Sequence, residues 1–464
     1  MVVPPDAGPL LWVKDPAGIH TADPGEPDAR RGLVVDTARG VITELVPAGH
    51  QPSRHDSTLA ADDLVVLPGL VNAHHHFFQT LTRAWGPVAD EGLAGWLAGS
   101  YPVWARLTPD LLESAVTVAV AELLLSGCTT AADHHYLFTD GLEEAIDVEV
   151  DVVRRLGARA LLTRGSMSWG QADGGAPPQS VVQDPDTVLE DSRRVVDRHH
   201  ERGEDARIRI GLGPCTVSTV SRELLRDSAA LADELDVRLH LHLAETREDD
   251  AFCREHFGRG ALDHVESVGA LSPRTWLAHA IHLDDREIAR IGAAGTGVAH
   301  CPSSNTRLGS GICRVLELER AGAPVGLGVD GSASNDSSNL MQEVRAALNL
   351  QRLTGGPSQV PVRRALDWAT RGSAAVLGWE GIGVLRPGAR ADLAMFRRDE
   401  LRFAGSHDAV ASLVLCGAHR ADRVMVDGRW VVEDGAVVGL DLERTIARQQ
   451  EAARTLVRGH RTTG

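Results

Sequence analysis

The chain has 464 residues, and at roughly 150 residues per domain this length predicts two to three domains, or one large barrel beside a smaller domain. Its 64 acidic and 47 basic residues leave a formal net charge of −17, which argues against nucleic acid or an anionic membrane as a partner. The sequence contains no run of about 18 apolar residues, so we expect no membrane span. Residues 1–6 lack the cationic region and the following apolar run of a signal peptide, so we expect no secretory leader.

The usage of cysteine, lysine and histidine adds further constraints. Six cysteines are scattered along the chain and none forms a CxxC pair, so we expect no disulfide framework, no zinc ribbon and a location in the reducing cytoplasm. Lys14 is the only lysine, which removes lysine chemistry from the rest of the chain. Histidine occurs 20 times, and several of these residues stand in tight clusters.

Both ends of the chain have the pattern of short β-strands. Residues 41–46 are β-rich, and near the C-terminus the pair Asp427-Gly428 separates two apolar runs, which is a strong signal for a two-residue hairpin. We therefore expect residues 1–66 and 384–464 to build one small β domain together.

Between residues 67 and 383 the pattern changes to strands separated by intervals of helix length. Thr108 and Pro109 predict the start of one such helix, and Gly127 predicts its end. Eight strand candidates occur, at residues 64–67, 129–133, 158–164, 208–213, 237–242, 275–279, 296–300 and 325–330. Eight strand–helix units in roughly 310 residues predict an α/β fold, a (β/α)8 barrel of the TIM type.

Histidines and acids fall at the C-terminal ends of these predicted strands, where barrel enzymes place their chemistry. The first cluster is His74-His75-His76. Alternate residues of a strand point the same way, so His74 and His76 can both face the barrel axis and supply half of a metal site. A histidine-rich surface turn is the alternative interpretation of this triplet alone.

The later strands extend the pattern. His240 and His242 share a face; His242 is nearer the strand end and is the better ligand candidate, with His240 one layer deeper. Glu245 follows just past that strand end as a candidate acid or base. His279 and Asp330 end later strands, and a buried carboxylate at a barrel mouth requires a metal or another cation. Together these positions predict a metal-dependent catalytic site.

At this point the motifs resemble the amidohydrolase superfamily. The resemblance covers essentially the whole chain and is carried by residues 68–76, by His242 with Glu245, and by residues 278–283, 328–331 and 385–393. It implies a TIM-like barrel at residues 67–383 and a β-sandwich domain built from both termini. It also implies His74, His76, His242 and Asp330 as metal ligands, Glu245 as the proton shuttle, and catalytic roles for His279 and Asp330 beside the nucleophilic water.

Lysine usage bears on the number of metal ions. Binuclear members of the family generally bridge two metals with a modified lysine on the fourth barrel strand. That strand ends here at residues 211–216, and this region contains no lysine. The resemblance is therefore to the mononuclear aminohydrolase branch and implies one metal ion per chain. Three histidines and one aspartate suit Zn(II), and Fe(II) accepts the same set.

Within that branch the chain most resembles the 8-oxoguanine deaminases, at residues 74–84, 133–138, 164–168 and 173–178. This resemblance implies hydrolysis of 8-oxoguanine to urate and ammonia, with Gln79, His134 and Arg164 as substrate contacts. A solvated loop position for Gln79 and a structural salt bridge for Arg164 are the alternatives. Ordinary guanine deaminases carry an Arg-Phe pair after the fourth strand; this chain has Cys215-Thr216 there, which disfavours guanine.

Several alternatives remain at this stage. Isoxanthopterin and hydroxytriazines of the hydroxyatrazine type share the reactive feature, an amino carbon beside a ring nitrogen. A cyclic amidase is disfavoured by the missing lysine, and release of chloride or an alkylamine is not distinguished from release of ammonia. The retained ligands argue against a non-enzymatic scaffold. We expect a small heterocyclic substrate, no nucleic acid or membrane partner, and a homo-oligomer.

Overall fold

The computed structural model describes residues 8–175 and 177–458. The expectations for residues 1–7 and 459–464, and for position 176 within the resemblance at residues 173–178, lie outside these ranges. Within them, no helix combines the length and apolarity needed to cross a membrane.

The N-terminal region forms six short strands. They are β1 (Leu10–Lys14), β2 (Gly18–Ile19), β3 (Gly32–Asp36), β4 (Val41–Leu45), β5 (Ser57–Ala60) and β6 (Leu64–Pro68). Four of them form a sheet in the order β4-β3-β1-β5, in which β1 is antiparallel to β3 and parallel to β5.

The middle of the chain supplies the strands of the barrel. They are β7 (Leu70–Asn72), β8 (His75–His76), β9 (Cys128–His135), β10 (Arg159–Ser166), β11 (Ile208–Pro214), β12 (Leu239–Leu243), β13 (Thr275–His279), β14 (Gly297–His300), β15 (Val325–Leu327) and β16 (Asp330–Gly331). Eight of them form one parallel sheet in the order β15-β14-β13-β12-β11-β10-β9-β7. The two ends of this sheet approach each other: the Ala73 amide, just after β7, donates to the Leu327 carbonyl at the end of β15 at 2.8 Å, and β8 pairs with β16. The sheet is thus a nearly closed eight-stranded barrel, and the predicted (β/α)8 fold is confirmed.

Helices cover the outside of the barrel. They are α1 (Leu93–Trp104), α2 (Pro109–Leu125), α3 (Ala145–Leu156), α4 (Pro185–His199), α5 (Arg222–Leu235), α6 (Arg247–Phe257), α7 (Ala261–Ser267), α8 (Asp285–Ala293), α9 (Pro302–Arg307), α10 (Val315–Arg320), α11 (Leu340–Gly355), α12 (Val362–Asp367) and α13 (Ser373–Val376). The predicted helix start is confirmed, because the Thr108 hydroxyl accepts from the Leu111 amide and Pro109 is the first helical residue. Gly127 follows the C-cap with a φ of 89°, a conformation that glycine adopts without strain.

Short 3-10 and π turns connect these elements. The 3-10 helices are Phe77–Thr82, Gly86–Val88, Gln171–Asp173, Gln179–Val181 and Leu401–Phe403, and a π-helical turn spans Trp368–Gly372.

The C-terminal region joins the N-terminal strands. Its elements are β17 (Leu393–Arg397), α14 (Ala409–Leu415), β18 (Arg423–Val426), β19 (Arg429–Glu433), β20 (Ala436–Val437) and α15 (Leu442–Val457). A second sheet has the order β2-β6-β17-β18-β19-β20, so strands from both termini pair, and the predicted Asp427-Gly428 turn connects β18 to β19. Apolar side chains of both sheets meet in one buried cluster that includes Val13, Val66 and Met395. The domain limits at 66/67 and 383/384 stay a prediction.

One predicted strand lies in a different sheet from the one expected. Residues 64–67 were expected to be the first barrel strand, but β6 pairs with β17 in the terminal sheet, and β7 takes the first barrel position. The chain changes sheets at Gly69, where a Cβ atom would lie 2.2 Å from the Thr129 hydroxyl oxygen. Only glycine fits this close approach, and it allows two successive apolar runs to enter different sheets.

Candidate active site

The four residues expected as metal ligands meet at one end of the barrel. His74 and His76 follow β7, His242 lies near the end of β12, and Asp330 begins β16. His76 Nε2 lies 3.2 Å from His242 Nε2, and Asp330 Oδ1 lies 3.2 Å from His74 Nε2 and 3.3 Å from His76 Nε2. Nitrogen ligands about 2.0–2.1 Å from one tetrahedral zinc lie about 3.3 Å from each other. The spacing of these atoms therefore fits a single bound metal ion.

The hydrogen bonds behind the ligand atoms determine which ring nitrogens carry protons. His76 Nδ1 lies 2.8 Å from the His134 carbonyl, and His242 Nδ1 lies 2.8 Å from the Cys215 carbonyl. A carbonyl only accepts, so in a neutral imidazole each Nδ1 donates and each Nε2 carries a lone pair. Two lone pairs at 3.2 Å repel each other, and a cation between them removes this cost. The facing lone pairs of His76 and His242 therefore fit a bound metal ion.

The charge states are those that metal binding needs. Burial lowers the pKa of His74 and of His242 well below the usual value. Burial acts in the opposite direction on Asp330, but the neighbouring imidazoles of His74, His76 and His279 outweigh it and hold the pKa of that carboxyl well below its usual range. Neutral imidazoles and an ionised carboxylate are the ligand forms that bind a divalent ion.

Backbone conformation places the last ligand. Asp330 has a φ of 61°, in the left-handed region that a residue with a side chain rarely adopts. Its Oδ2 accepts from the Ser304 hydroxyl at 2.5 Å and from the Ser334 hydroxyl at 3.2 Å, and its Oδ1 accepts from the Gly331 amide at 2.7 Å. These bonds fix the carboxylate of a residue whose backbone has a rarely populated conformation, and such conformations recur at functional sites.

Glu245 and His279 lie beside the ligand cluster. His279 Nε2 is 3.6 Å from Glu245 Oε2 and 3.9 Å from Asp330 Oδ2, and its Nδ1 contacts the Asn305 side-chain oxygen at 2.8 Å. Burial raises the pKa of Glu245, although the neighbouring His279 opposes this shift. Burial alone would lower the pKa of His279, but Glu245 and Asp330 outweigh it and raise that pKa. The two groups can exchange protons next to the ligand atoms.

A cleft opens over these residues. The empty space between its walls, including the part that is open to solvent, is about 640 Å³. One side of its wall is the ligand cluster with its neighbours, namely His76, His242, Glu245, His279 and Asp330. The rest of the wall includes two aromatic side chains of α1, Trp96 and Tyr101, and three small polar side chains, Thr216, Ser218 and Thr219. A flat, polar heterocycle suits a cleft with this mixed lining.

The three expected substrate contacts have different outcomes. Gln79 lines the cleft, and its buried amide nitrogen has no hydrogen-bond partner among the described residues; its contact with the substrate stays a prediction. His134 is displaced from its expected place: it is fully buried beneath the ligands, its ring stacks on His242 with centroids 4.9 Å apart, and its Nε2 contacts the Gly213 carbonyl. The expected substrate contact of His134 is corrected to a place in the layer below the cleft.

Arg164 also requires a correction. Its guanidinium donates to Asp191 at 2.8 Å and to Gln183 at 2.9 Å, and it lies 3.7 Å over the Phe138 ring. Alternate residues of β10 point to opposite faces, and Arg164 points outward to α4 rather than into the barrel. Arg164 therefore forms a structural salt bridge, which was the alternative to a substrate contact.

Sequence reasoning missed several residues of this site. Asn305 contacts His279, Ser304 binds Asp330, and Tyr136 and Asp249 line the cleft. Ser304 and Asn305 lie in α9, the short helix that begins two residues after the end of β14, so polar residues close behind a strand end were the available signal. Tyr136 lies within the resemblance at residues 133–138 but was given no role there. Asp249 had no signal of its own, because an aspartate in the first turn of a helix is common on any surface.

A metal-dependent hydrolase barrel is the class of protein that this fold and site define. The amidohydrolase family profile matches residues 65–431. An 8-oxoguanine deaminase of Pseudomonas aeruginosa is 59% identical over 97% of this chain and 99% of its own length. An isoxanthopterin deaminase of an unknown prokaryotic organism is 31% identical over 98% of both chains. The chain therefore belongs to the amidohydrolase family, and it is an aminohydrolase, a hydrolase that acts on C–N bonds.

Structural similarity agrees with this assignment. The crystal structure of an atrazine chlorohydrolase from Arthrobacter aurescens TC1, complexed with zinc, matches with a TM-score of 0.89 and 32% identity, over 96% of this chain and 99% of that chain. A zinc-bound relative and the histidine-rich cluster together support a divalent metal ion at this site.

Proposed function

We propose that the protein is an 8-oxoguanine deaminase, which hydrolyses 8-oxoguanine with one water molecule to urate and ammonia. The observation that carries the proposal is the 59% identity to the Pseudomonas aeruginosa enzyme over nearly the whole chain. The intact cluster at the barrel mouth and the cleft above it support the proposal. Isoxanthopterin is the second candidate substrate, because a deaminase of that pterin is similar over 98% of the chain.

We further propose that His74, His76, His242 and Asp330 hold one Zn(II) per chain, with Fe(II) as the alternative metal. The lone pairs of His76 and His242, and the Asp330 carboxylate beside His74, support this assignment. A divalent ion of this kind lowers the pKa of a water ligand to about 7 and so supplies a nucleophile at neutral pH.

The residues around the cluster would move the protons. Glu245 protonates the ring nitrogen beside the amino carbon, which makes that carbon electrophilic; its raised pKa favours the protonated form that this step needs. Water adds to the carbon while Asp330 and His279 orient it and accept its proton. The C–N bond then breaks as the added hydroxyl loses its proton to Glu245 and becomes the carbonyl of urate, and the amino group leaves as ammonia with the proton that Asp330 and His279 return. Gln79, in the wall of the cleft, would contact the lactam edge of the base.

We also propose that the enzyme is located in the cytoplasm and forms a homo-oligomer. All six cysteines lie in the described ranges and are free thiols, and five of them are buried, which supports a reducing compartment. The homo-oligomer rests on the sequence expectation alone.

The test is a comparison of kcat/KM for 8-oxoguanine, guanine, isoxanthopterin and hydroxyatrazine. 8-Oxoguanine differs from guanine by an N7–H donor and a C8 carbonyl. A buried partner left unpaired by guanine costs about 1–3 kcal/mol, or roughly 5- to 150-fold in kcat/KM. We therefore expect the kcat/KM for 8-oxoguanine to exceed that for guanine by at least about 5-fold, the lower end of this range. Equal or better efficiency with guanine would reject the assignment. Activity confined to isoxanthopterin or hydroxyatrazine would keep the hydrolytic chemistry and change the substrate.

A further inference from the structure

A second layer of histidines lies directly beneath the ligand cluster. His240 is 1% exposed and stands two residues before His242 on β12, so it points to the same face one layer deeper. Its Nε2 lies 2.8 Å from Nδ1 of His74, and its ring centroid is 4.9 Å from that of His74. No role in the reaction requires His240, yet it contacts an expected ligand on the side away from the cleft.

The direction of the hydrogen bonds through His240 is determined at its far end. His240 Nδ1 lies 2.9 Å from the Trp276 carbonyl oxygen, which accepts but cannot donate. In a neutral imidazole Nδ1 then carries the single proton, and Nε2 of His240 is left with a lone pair. His74 must therefore donate from Nδ1 to His240. Consequently His74 Nε2 also carries a lone pair, which faces Asp330 at 3.2 Å.

Trp276 holds the His240 ring in this orientation. The two rings are stacked with centroids 4.1 Å apart and an interplanar angle of 8°. The Trp276 indole N–H donates to the carbonyl of Ala73, the residue directly before His74, at 3.0 Å. The pair formed by Trp276 and His240 thus contacts both the backbone leading into His74 and the side chain of His74 itself.

We propose that His240 is a positioning residue that holds His74 in the tautomer with a proton on Nδ1 and directs its Nε2 into the metal site. The inference rests on the proposed function, because it concerns the metal that this function requires. Ligand histidines commonly donate their other N–H to a carboxylate, a carbonyl or water. A neutral imidazole acceptor does the same without adding a negative charge beside the one carboxylate of the ligand set.

The test measures metal binding rather than turnover. We compare Zn(II) affinity, by competition with a chromophoric chelator, in wild type, His240→Leu and His240→Gln. Loss of such a partner typically weakens metal affinity about 10- to 100-fold, which is the expected result for His240→Leu. His240→Gln keeps a side-chain acceptor and should keep most of the affinity. The control is His300→Gln, a change at an equally buried barrel histidine that lies beside Gln351, and it should bind zinc as wild type does.

The absorption spectrum of a bound cobalt ion reports the geometry of its ligands and does not depend on the overall stability of the protein. The visible absorption of the Co(II) protein should change in His240→Leu and not in His300→Gln. Equal zinc affinity and an unchanged Co(II) spectrum in His240→Leu would overturn the inference alone. A wild-type protein that binds no zinc would overturn the proposed function and this inference together.

A measurement on wild type covers the case in which His240→Leu does not fold. Histidine-selective ¹⁵N spectra of the zinc protein report which ring nitrogen carries the proton. Protons on Nδ1 of both His74 and His240 would support the proposal, and a proton on Nε2 of His240 would contradict it.

Discussion

At the scale of single residues, burial and neighbouring charge act in opposite directions on the two groups expected to exchange protons. Burial raises the pKa of Glu245, and the charges of Glu245 and Asp330 raise the pKa of His279 against its burial. Both groups therefore hold a proton at a higher pH than they would in water. An acid for a ring nitrogen needs this property near neutral pH.

The first prediction concerns Glu245. Glu245→Gln keeps the size of the side chain but removes its proton transfer, so kcat should fall about 100-fold or more while the metal stays bound. Steady-state kinetics and elemental analysis on the same preparation check both parts. Turnover near that of wild type would remove Glu245 from the mechanism, and loss of the metal would make it a ligand instead.

At the scale of the elements, the packing of α3 and α4 against the barrel gives buried polar residues structural roles. Asp133 and His135 alternate along β9 and both face outward to Glu149 of α3. His135 Nε2 donates to the Leu137 carbonyl at 2.7 Å, which leaves a lone pair on Nδ1, 3.0 Å from Glu149 Oε1. A proton must therefore lie between them, and burial raises the pKa of Glu149 to about 8.

The second prediction follows from that proton. The folded protein holds it more tightly than the unfolded chain, so its contribution to stability is fully present below pH 4.5 and is lost as the pH rises through 8. Burial lowers the pKa of His135 from 6.5 to about 4. His135 therefore reduces the stability of the folded protein only below pH 6.5, where the unfolded chain would bind its proton. Between pH 6.5 and 8, the Tm of wild type should thus fall more than that of Glu149→Gln, whose amide replaces the protonated acid. Parallel Tm profiles over this range would contradict the assignment.

The third prediction tests the corrected position of Arg164 between β10 and α4. Arg164→Met removes one of the two arginines that contact Asp191 and leaves Arg194 as its remaining partner, so the free energy of unfolding should fall by about 1.5–3 kcal/mol, the range for a lost hydrogen bond to a charged group. The KM for 8-oxoguanine should not change, because the guanidinium faces away from the cleft. Denaturant unfolding and kinetics measure the two effects, and Asp191→Asn serves as the matched change on the partner. A raised KM at unchanged stability would restore the substrate contact.

At the scale of the whole molecule, the ligand cluster joins strands that are distant in the sequence. His74, His242 and Asp330 come from the start, middle and end of the barrel, so a bound ion ties its closing strands together. Metal that binds only the folded state stabilises it by about 2.7 kcal/mol at a free concentration one hundred times Kd.

The fourth prediction is therefore about stoichiometry and stability together. Purified protein should carry close to one divalent ion per chain; a chelator should lower Tm, and added Zn(II) should restore it. His242→Ala and Asp330→Asn should lose the ion. Two ions per chain, both needed for activity, would contradict the conclusion drawn from the missing barrel lysine.

The sequence by itself determined the barrel, because eight apolar runs at helix-length spacing leave few other arrangements, and it determined which residue types stand at the strand ends. Alternation along a strand was sufficient to pair His74 with His76 and to place His240 below His242. Only the tertiary structure decided that residues 64–67 belong to the terminal sheet and that Arg164 faces α4. It alone decided that His134 lies beneath the ligands and that Asn305 contacts His279. The physical reason is that periodicity specifies the face of an element, whereas the neighbour on that face depends on how distant segments pack.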